Sequence, residues 1–154
     1  MKSQAVSFSV IALLALIVSA CSPTTKSDES TAQIGLAVSE VCPDTAEPQC
    51  IELEGENILT PDGFKTAKIE TVGVDESENM GQVDLTFTQD GASVLQIMTS
   101  EAAGNGGSAR LVLKVDGEIH SAVPVASAIE DNQLQIVVSS TEEAQKLAAL
   151  IQGK

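Results

Sequence analysis

Between Gln82 and Lys154 the chain alternates between two hydrophobic rhythms. Val83, Leu85 and Phe87 alternate with Asp84, Thr86 and Thr88, the period-two mark of a strand with one buried face. After Asp90-Gly91 the spacing changes. Val94, Ile97, Met98 and Glu101 fall at i, i+3, i+4 and i+7, which predicts a helix that Gly104-Asn105-Gly106-Gly107 stops. Leu111, Leu113 and Val115 then alternate with Arg110, Val112 and Lys114 as a second strand. Asp116-Gly117 carries the signal of a two-residue type I′ turn, and a third strand starts at Glu118-Ile119 and runs toward Val125. Leu134, Ile136 and Val138, interleaved with Gln133, Gln135 and Val137, make a fourth. Ser140, with Glu143 three residues on, has the form of a capping box. The helix it opens has Ala144, Leu147, Ala148 and Ile151 on its apolar stripe.

The predicted order is β-α-β-β-β-α. Alternation leaves one sheet face wet, and two amphipathic helices need the dry face as a partner. The expected fold is therefore α+β, a two-layer sandwich of a mainly antiparallel sheet with both helices on one face. Residues 51–82 add an N-terminal strand and a connecting piece. Ile34 to Val41 is mildly apolar and reads as a short strand or a docking segment. No internal repeat is visible.

The amino end has a different pattern. Lys2 precedes an apolar or small-residue run from Val6 to Ala20, of the length a secretory signal needs and short of the ~20 apolar residues of a membrane span. It ends Val18-Ser19-Ala20-Cys21. Small residues admit a peptidase, and the following Cys offers a thiol for acylation, so the run resembles a bacterial lipobox with Cys21 as the lipid attachment site. The alternative is an ordinary signal peptide followed by a chance Cys. On the lipobox reading, residues 1–20 are a lipoprotein signal peptide, 21–40 are the acylated Cys and a flexible linker, and 41–154 are one domain. Ser22 stands where an Asp would resemble an inner-membrane retention signal, which points to the outer membrane, facing the periplasm, in a diderm. The Ser- and Thr-rich stretch from Ser22 to Gln33 has no apolar periodicity, as a linker should not.

Charge and cysteine count narrow the picture further. Of 154 residues, 8 are Lys or Arg and 22 are Asp or Glu, a formal net charge of −14. Such a surface repels phosphate backbones, so no nucleic-acid partner is expected. It gains nothing from anionic lipid either, so a lipid anchor would have to do the tethering, and more than one acyl chain makes that durable. With Cys21 assigned to lipid, two thiols remain. Cys42 and Cys50 bracket Pro43-Asp44-Thr45-Ala46-Glu47-Pro48-Gln49. In an oxidising compartment they form a disulfide most simply, since the spacing matches neither a redox pair nor a zinc motif.

Four segments then carry a family resemblance. Leu53-Glu54-Gly55-Glu56-Asn57-Ile58, the run Val83 to Ala92, Leu113 to Ile119 followed by Ser121-Ala122, and Thr141-Glu142-Glu143-Ala144 with Leu147-Ala148 occur in the right order. Together, over about 51–152, they resemble the periplasmic P1 head of SecD, a subunit of the bacterial protein-export machinery. The resemblance implies the fold above and a polypeptide-binding surface at the hairpin: Asp116, Gly117, Ile119, Ser121 and Ala122. The chain departs from the pattern in two ways. Val123 intrudes between Ala122 and Pro124, and one extra residue inverts the downstream side chains unless a bulge absorbs it. The family's transmembrane helices, with the intramembrane charges that would harness a proton gradient, have no counterpart here. The resemblance therefore implies a fold and a binding surface without a motor.

Little else suggests chemistry. His120 is the sole imidazole, so a triad or a multi-His metal site has at most one centre. It lies out of phase with Ile119 and is expected to face solvent. Glu52, Glu54 and Glu56 would share one face of an extended segment, but lack the Asp, Asn and Gly of a calcium loop. Asp75, Glu76 and Glu78 read as an exposed loop. The Gly104–Gly107 run closes a helix and has no following Lys-Ser/Thr, so it is not a P-loop. No Trp or Tyr is present to stack on a sugar. The sequence thus predicts no catalytic residues, no metal and no cofactor. It predicts a non-catalytic envelope lipoprotein that is tethered to the membrane by lipid and binds a protein partner or exported polypeptide. A structural or accessory lipoprotein with no client is the alternative, and a carboxylate hydrolase a third reading for which no single Glu stands out.

Overall fold

Three long-range ladders organise a computed structural model of the chain, which describes residues 32–43, 49–75 and 80–154. The strands are β1 (Gln33–Glu40), β2 (Cys50–Leu53), β3 (Glu56–Leu59), β4 (Lys65–Asp75), β5 (Gly81–Phe87), β6 (Ala109–Val115), β7 (Glu118–Pro124) and β8 (Gln133–Val138). The helices are α1 (Gln89–Gly104) and α2 (Thr141–Ile151). Six strands form one sheet in the order β7-β6-β1-β4-β5-β8, with every neighbouring pair antiparallel. β2 and β3 form a separate two-stranded hairpin. The architecture is the α+β two-layer sandwich expected from the alternating rhythms, with both helices on one face.

That face holds the core. Ile34, Leu36, Ala67, Ile69, Val83, Leu85, Phe87, Leu111, Leu113, Val115 and Ile136 point from the strands into it, and Leu95, Met98, Ala144, Leu147, Ala148 and Ile151 meet them from the helices. The stripe on α2 is the expected one. On α1 the stripe is rotated: Gly91, Leu95, Met98, Thr99 and Ala102 are buried, whereas Ile97 is 54% exposed. The rotation follows from where α1 begins. Thr88 is its N-cap, accepting from Gly91 N at 3.2 Å, and Gly91 lies so close to β4 that a Cβ there would overlap the Lys68 carbonyl oxygen. A helix seated on Gly91 turns positions 95, 98 and 102 inward. Gly104, Asn105 and the positive-φ residues Gly106 and Gly107 end it, in the place the glycine run indicated.

Two regions differ from the sequence reading. β1 is the short strand that Ile34 to Val41 allowed, but it begins inside the range 21–40 assigned to a linker and lies at the middle of the sheet between β4 and β6. Ile34 and Leu36 face the helices, and Ala37 and Ser39 are buried on the opposite face. A strand covered on both faces loses the polar half of its alternation. The stretch 51–82, read as one strand and a connection, holds the β2–β3 hairpin and the eleven-residue β4. β4 has a register shift between Ile69 and Thr71. Its inward residues change from Ala67 and Ile69 to Val72 and Val74, because a bulge moves the period-two pattern by one residue.

The second face is not wet throughout. The hairpin lies against its β1 end through a bridge between Val41 and Ile58, a hydrogen bond from Cys42 N to Asn57 O (2.8 Å) and one from Ser39 Oγ to the Leu59 carbonyl. Ile58 and Val112 are fully buried, although Val112 occupies a position that alternation assigned to solvent. The disulfide between Cys42 and Cys50 is present and closes the loop that leads from β1 into the hairpin.

Candidate functional site

The β6–β7 hairpin places the candidate binding residues. Asp116 and Gly117 both have positive φ (49° and 86°), as a type I′ turn requires. They line a groove of about 430 Å³ at one end of the sheet, together with Gly35, Phe64, Lys114 and Leu150. Phe64 fills the space above Gly35, and the Lys114 ammonium stands 4.3 Å from the centre of its ring, within the ~6 Å of a cation–π contact. Sequence reasoning did not find this pair, because Phe64 lies in a polar stretch without periodicity.

The other hairpin residues do not join Asp116 and Gly117 in one patch. Leu113 pairs with Ser121 and Lys114 with Ile119, so His120 is an extra residue in the ladder. Ser121 shares the helix-side face with Leu113 and is buried, while Ile119 and Ala122 lie on the opposite face in line with Lys114 and Val112. The five residues therefore divide among a turn, a core position and the second face. This bulge precedes Val123: the ladder is regular again from Ser121, and Val123 pairs with Leu111 and is 38% exposed. His120 does not simply face solvent. It is half-buried, and its Nε2 is shielded without a hydrogen-bond partner among the described residues.

Carboxylates do not converge. Glu54-Gly55 forms the β2–β3 turn with positive φ at both residues, so Glu52, Glu54 and Glu56 do not share the face of one extended segment. Glu56 instead reaches across to β6. Arg110 donates from Nε to Oε2 and from Nη2 to Oε1, both at 2.6 Å, and from Nη1 to the Gly107 carbonyl at 2.8 Å. The hydrogen bonds from Arg110 hold the Glu56 carboxyl below its ordinary value and raise the Arg110 guanidinium. Asp84 accepts from the Gln82 and Gln135 amides on the open half of the second face. Among the described residues no group of three or more His, Cys, Asp or Glu side chains is placed to hold a metal ion, and no helix is long and apolar enough to cross a membrane. Cys21, and Glu76 and Glu78 of the second acidic cluster, lie outside the described residues.

The sheet has two edges with different chemistry. β7 is guarded by the His120 bulge, by Glu118 at its start and by Pro124, which has no N–H, at its end. β8 is a six-residue strand with no charge, proline or bulge. Among the described residues its one strand partner is β5, and Val137 on it is 54% exposed.

Comparison with known proteins gives a consistent answer. No curated protein matches the chain. Two of the solved structures that share its fold are of SecDF. One, of SecDF, described as a membrane component that enhances protein export, is 21% identical with a TM-score of 0.53, over 79% of this chain and 63% of that one. The other, of SecDF in a super-membrane-facing form, is 22% identical with a TM-score of 0.50, over 79% of this chain and 19% of that one. The chain thus spans less than two thirds of the length of either. The model of the SecDF P1 head subdomain matches residues 39–154. Carried on this sheet and its two helices, that match shows that the chain belongs to the SecDF P1 head family.

Proposed function

We propose that the chain is a non-catalytic envelope lipoprotein, anchored through Cys21, whose P1-head domain acts in protein export by binding a protein partner or an exported polypeptide. The observation that carries this reading is the family match over 39–154, on a fold shared with a membrane component that enhances protein export. An antiparallel sheet with an open edge suits the task, because an extended chain can add to it through backbone hydrogen bonds whatever its side chains. The lipobox at Val18 to Cys21 supports the anchor. Ser22 supports the outer membrane, periplasmic side, in a diderm.

In-cell photo-crosslinking from Ile119, read by mass spectrometry, tests the binding. Several exported polypeptides among the adducts support a client surface. A single fixed neighbour supports an accessory role without clients, and no protein adduct either from Ile119 or from Val137 on the open β8 edge overturns the proposal. Anchoring is tested by Cys21→Ser, which is expected to block lipid-dependent maturation and move the protein out of the membrane fraction. Unchanged fractionation overturns the anchor.

A further inference from the structure

Within the reading of the domain as a polypeptide binder, on which this inference rests, we propose that the docking site is the outer edge of β8, and that its ligand is an extended peptide bearing basic residues eight positions apart. The phase of the β5–β8 ladder shows which backbone groups are open. Phe87 N donates to Asn132 O at 2.8 Å, which makes Phe87–Asn132 a hydrogen-bonded pair. In an antiparallel ladder such pairs alternate with non-bonded ones. Leu85–Leu134 and Val83–Ile136 are therefore the next bonded pairs, and the N–H and C=O groups of Gln133, Gln135 and Val137 point away from β5. No backbone hydrogen bond reaches that side from the described residues. Leu134, Ile136 and Val138 face the helices, so the strand is anchored to the core through alternate side chains.

Charge at the two ends of β8 selects the occupant. Exposed Glu130 and Asp131 precede the strand. At its other end the Glu143 carboxylate lies on Ser139, accepting from its N–H and hydroxyl. Glu142 is already paired with Lys146 at 2.9 Å and adds little. A second copy of the chain is disfavoured by this arrangement. Antiparallel self-pairing centred on Gln135 would set Asp131 of each copy opposite Ser139 of the other, driving carboxylate against carboxylate at both ends. A strand with a cation at each of those positions meets a carboxylate at both ends, and opposite charges steer its approach. By contrast, β7 offers a broken ladder, a Glu and a Pro, the usual devices that block strand addition.

The test uses the full chain and three nine-residue peptides of alternating valine and threonine: lysine at both ends, glutamate at both ends, or both lysines moved to the centre. The lysine-ended peptide is expected to bind about tenfold or more tighter than either control at low salt, the advantage shrinking in high salt as exposed charges are screened. Its binding should slow amide exchange at Gln133, Gln135 and Val137. Gln135→Pro removes an outward N–H without touching the β5 ladder and should abolish binding. The double variant Glu130→Lys with Asp131→Lys should remove the lysine preference while leaving the fold intact. Protection at β7, equal binding of all three peptides, or protection of the β8 amides before any peptide is added each overturns the inference. Crosslinking then separates it from the broader reading. Clients captured from a photoprobe at Val137 support the β8 site. Clients captured from Ile119 but not Val137 refute it and leave polypeptide binding standing, and capture from neither refutes both.

Discussion

At the residue scale, two glycines set how the helices meet the sheet. A Cβ on Gly91 would overlap the Lys68 carbonyl, and one on Gly81 would overlap the Ser140 carbonyl at the start of α2. Backbone is on the other side in both cases, so no flexible side chain can yield. Gly91→Ala and Gly81→Ala should each destabilise the fold by about 1–3 kcal/mol, the range for overpacking a tight contact, although alanine is the better helix former at position 91. Thermal unfolding followed by circular dichroism measures the loss, and a stabilised Gly91→Ala would contradict the seating of α1. Neither close approach is legible in the sequence, where Asp90-Gly91 marks only the change from strand to helix spacing. Thr99 is similar. It is fully buried, donates from Oγ1 to the Leu95 carbonyl at 2.8 Å and accepts from Ile129 N at 2.9 Å. A polar residue inside a helical stripe thereby ties down the loop before β8, and only the three-dimensional partner explains it.

At the scale of elements, the clear strands and helices are those whose environment has two distinct sides. β5, β6 and α2 bury the residues their periodicity marks and β8 turns its marked residues to the core, and Ser140 caps α2 by accepting from Glu143 N at 3.2 Å. β1 read only as a short strand or a docking segment, because both its faces are covered, and β4 was illegible because its bulge shifts the alternation midway. The β2–β3 hairpin has Glu54-Gly55 in place of the stronger Asn-Gly or Asp-Gly turn signal, and it is held mainly by its links to the main sheet. Those links respond to chemistry. The Glu56 carboxyl is held below its ordinary value by Arg110, so its contribution to stability is present above the unfolded glutamate value and disappears as pH falls through the lowered folded value. The protection factor of the Ile58 amide, corrected for intrinsic exchange, should fall over that acidic window in the wild type, and Glu56→Gln should flatten the dependence. The Cys42–Cys50 bond fixes the same hairpin from its other end. Replacing both cysteines with serine should cost roughly 2–3 kcal/mol in the loop-closure account, seen first as faster exchange across 50–59. A hairpin indifferent to both changes would mean that the packing of Ile58 alone holds it.

At the scale of the molecule, the sheet is built from distant parts of the chain. β1 pairs with β4 on one side and with β6 on the other, and the helices between them close over the same core. Such non-local pairing predicts slow folding and a single cooperative unit. A chain ending at Ser108 lacks β6, β7, β8 and α2, which leaves β1 with one partner and half of the core open. It is expected to show no cooperative unfolding transition by calorimetry, and a sharp transition would mean that β1, β4, β5 and α1 fold without the rest. The open edge at β8 and the guarded edge at β7 also belong to this scale, because neither is a property of one strand's sequence until the strand order is known.

The central position of β1 has a mechanical consequence. A pull on the segment before Gln33 draws β1 lengthwise between two neighbours, so the hydrogen bonds of both ladders carry the load side by side instead of parting one at a time. A domain suspended from that end would resist stretching through its strongest direction, and a chain hauled from its carboxyl end would meet α2 first and give way by peeling.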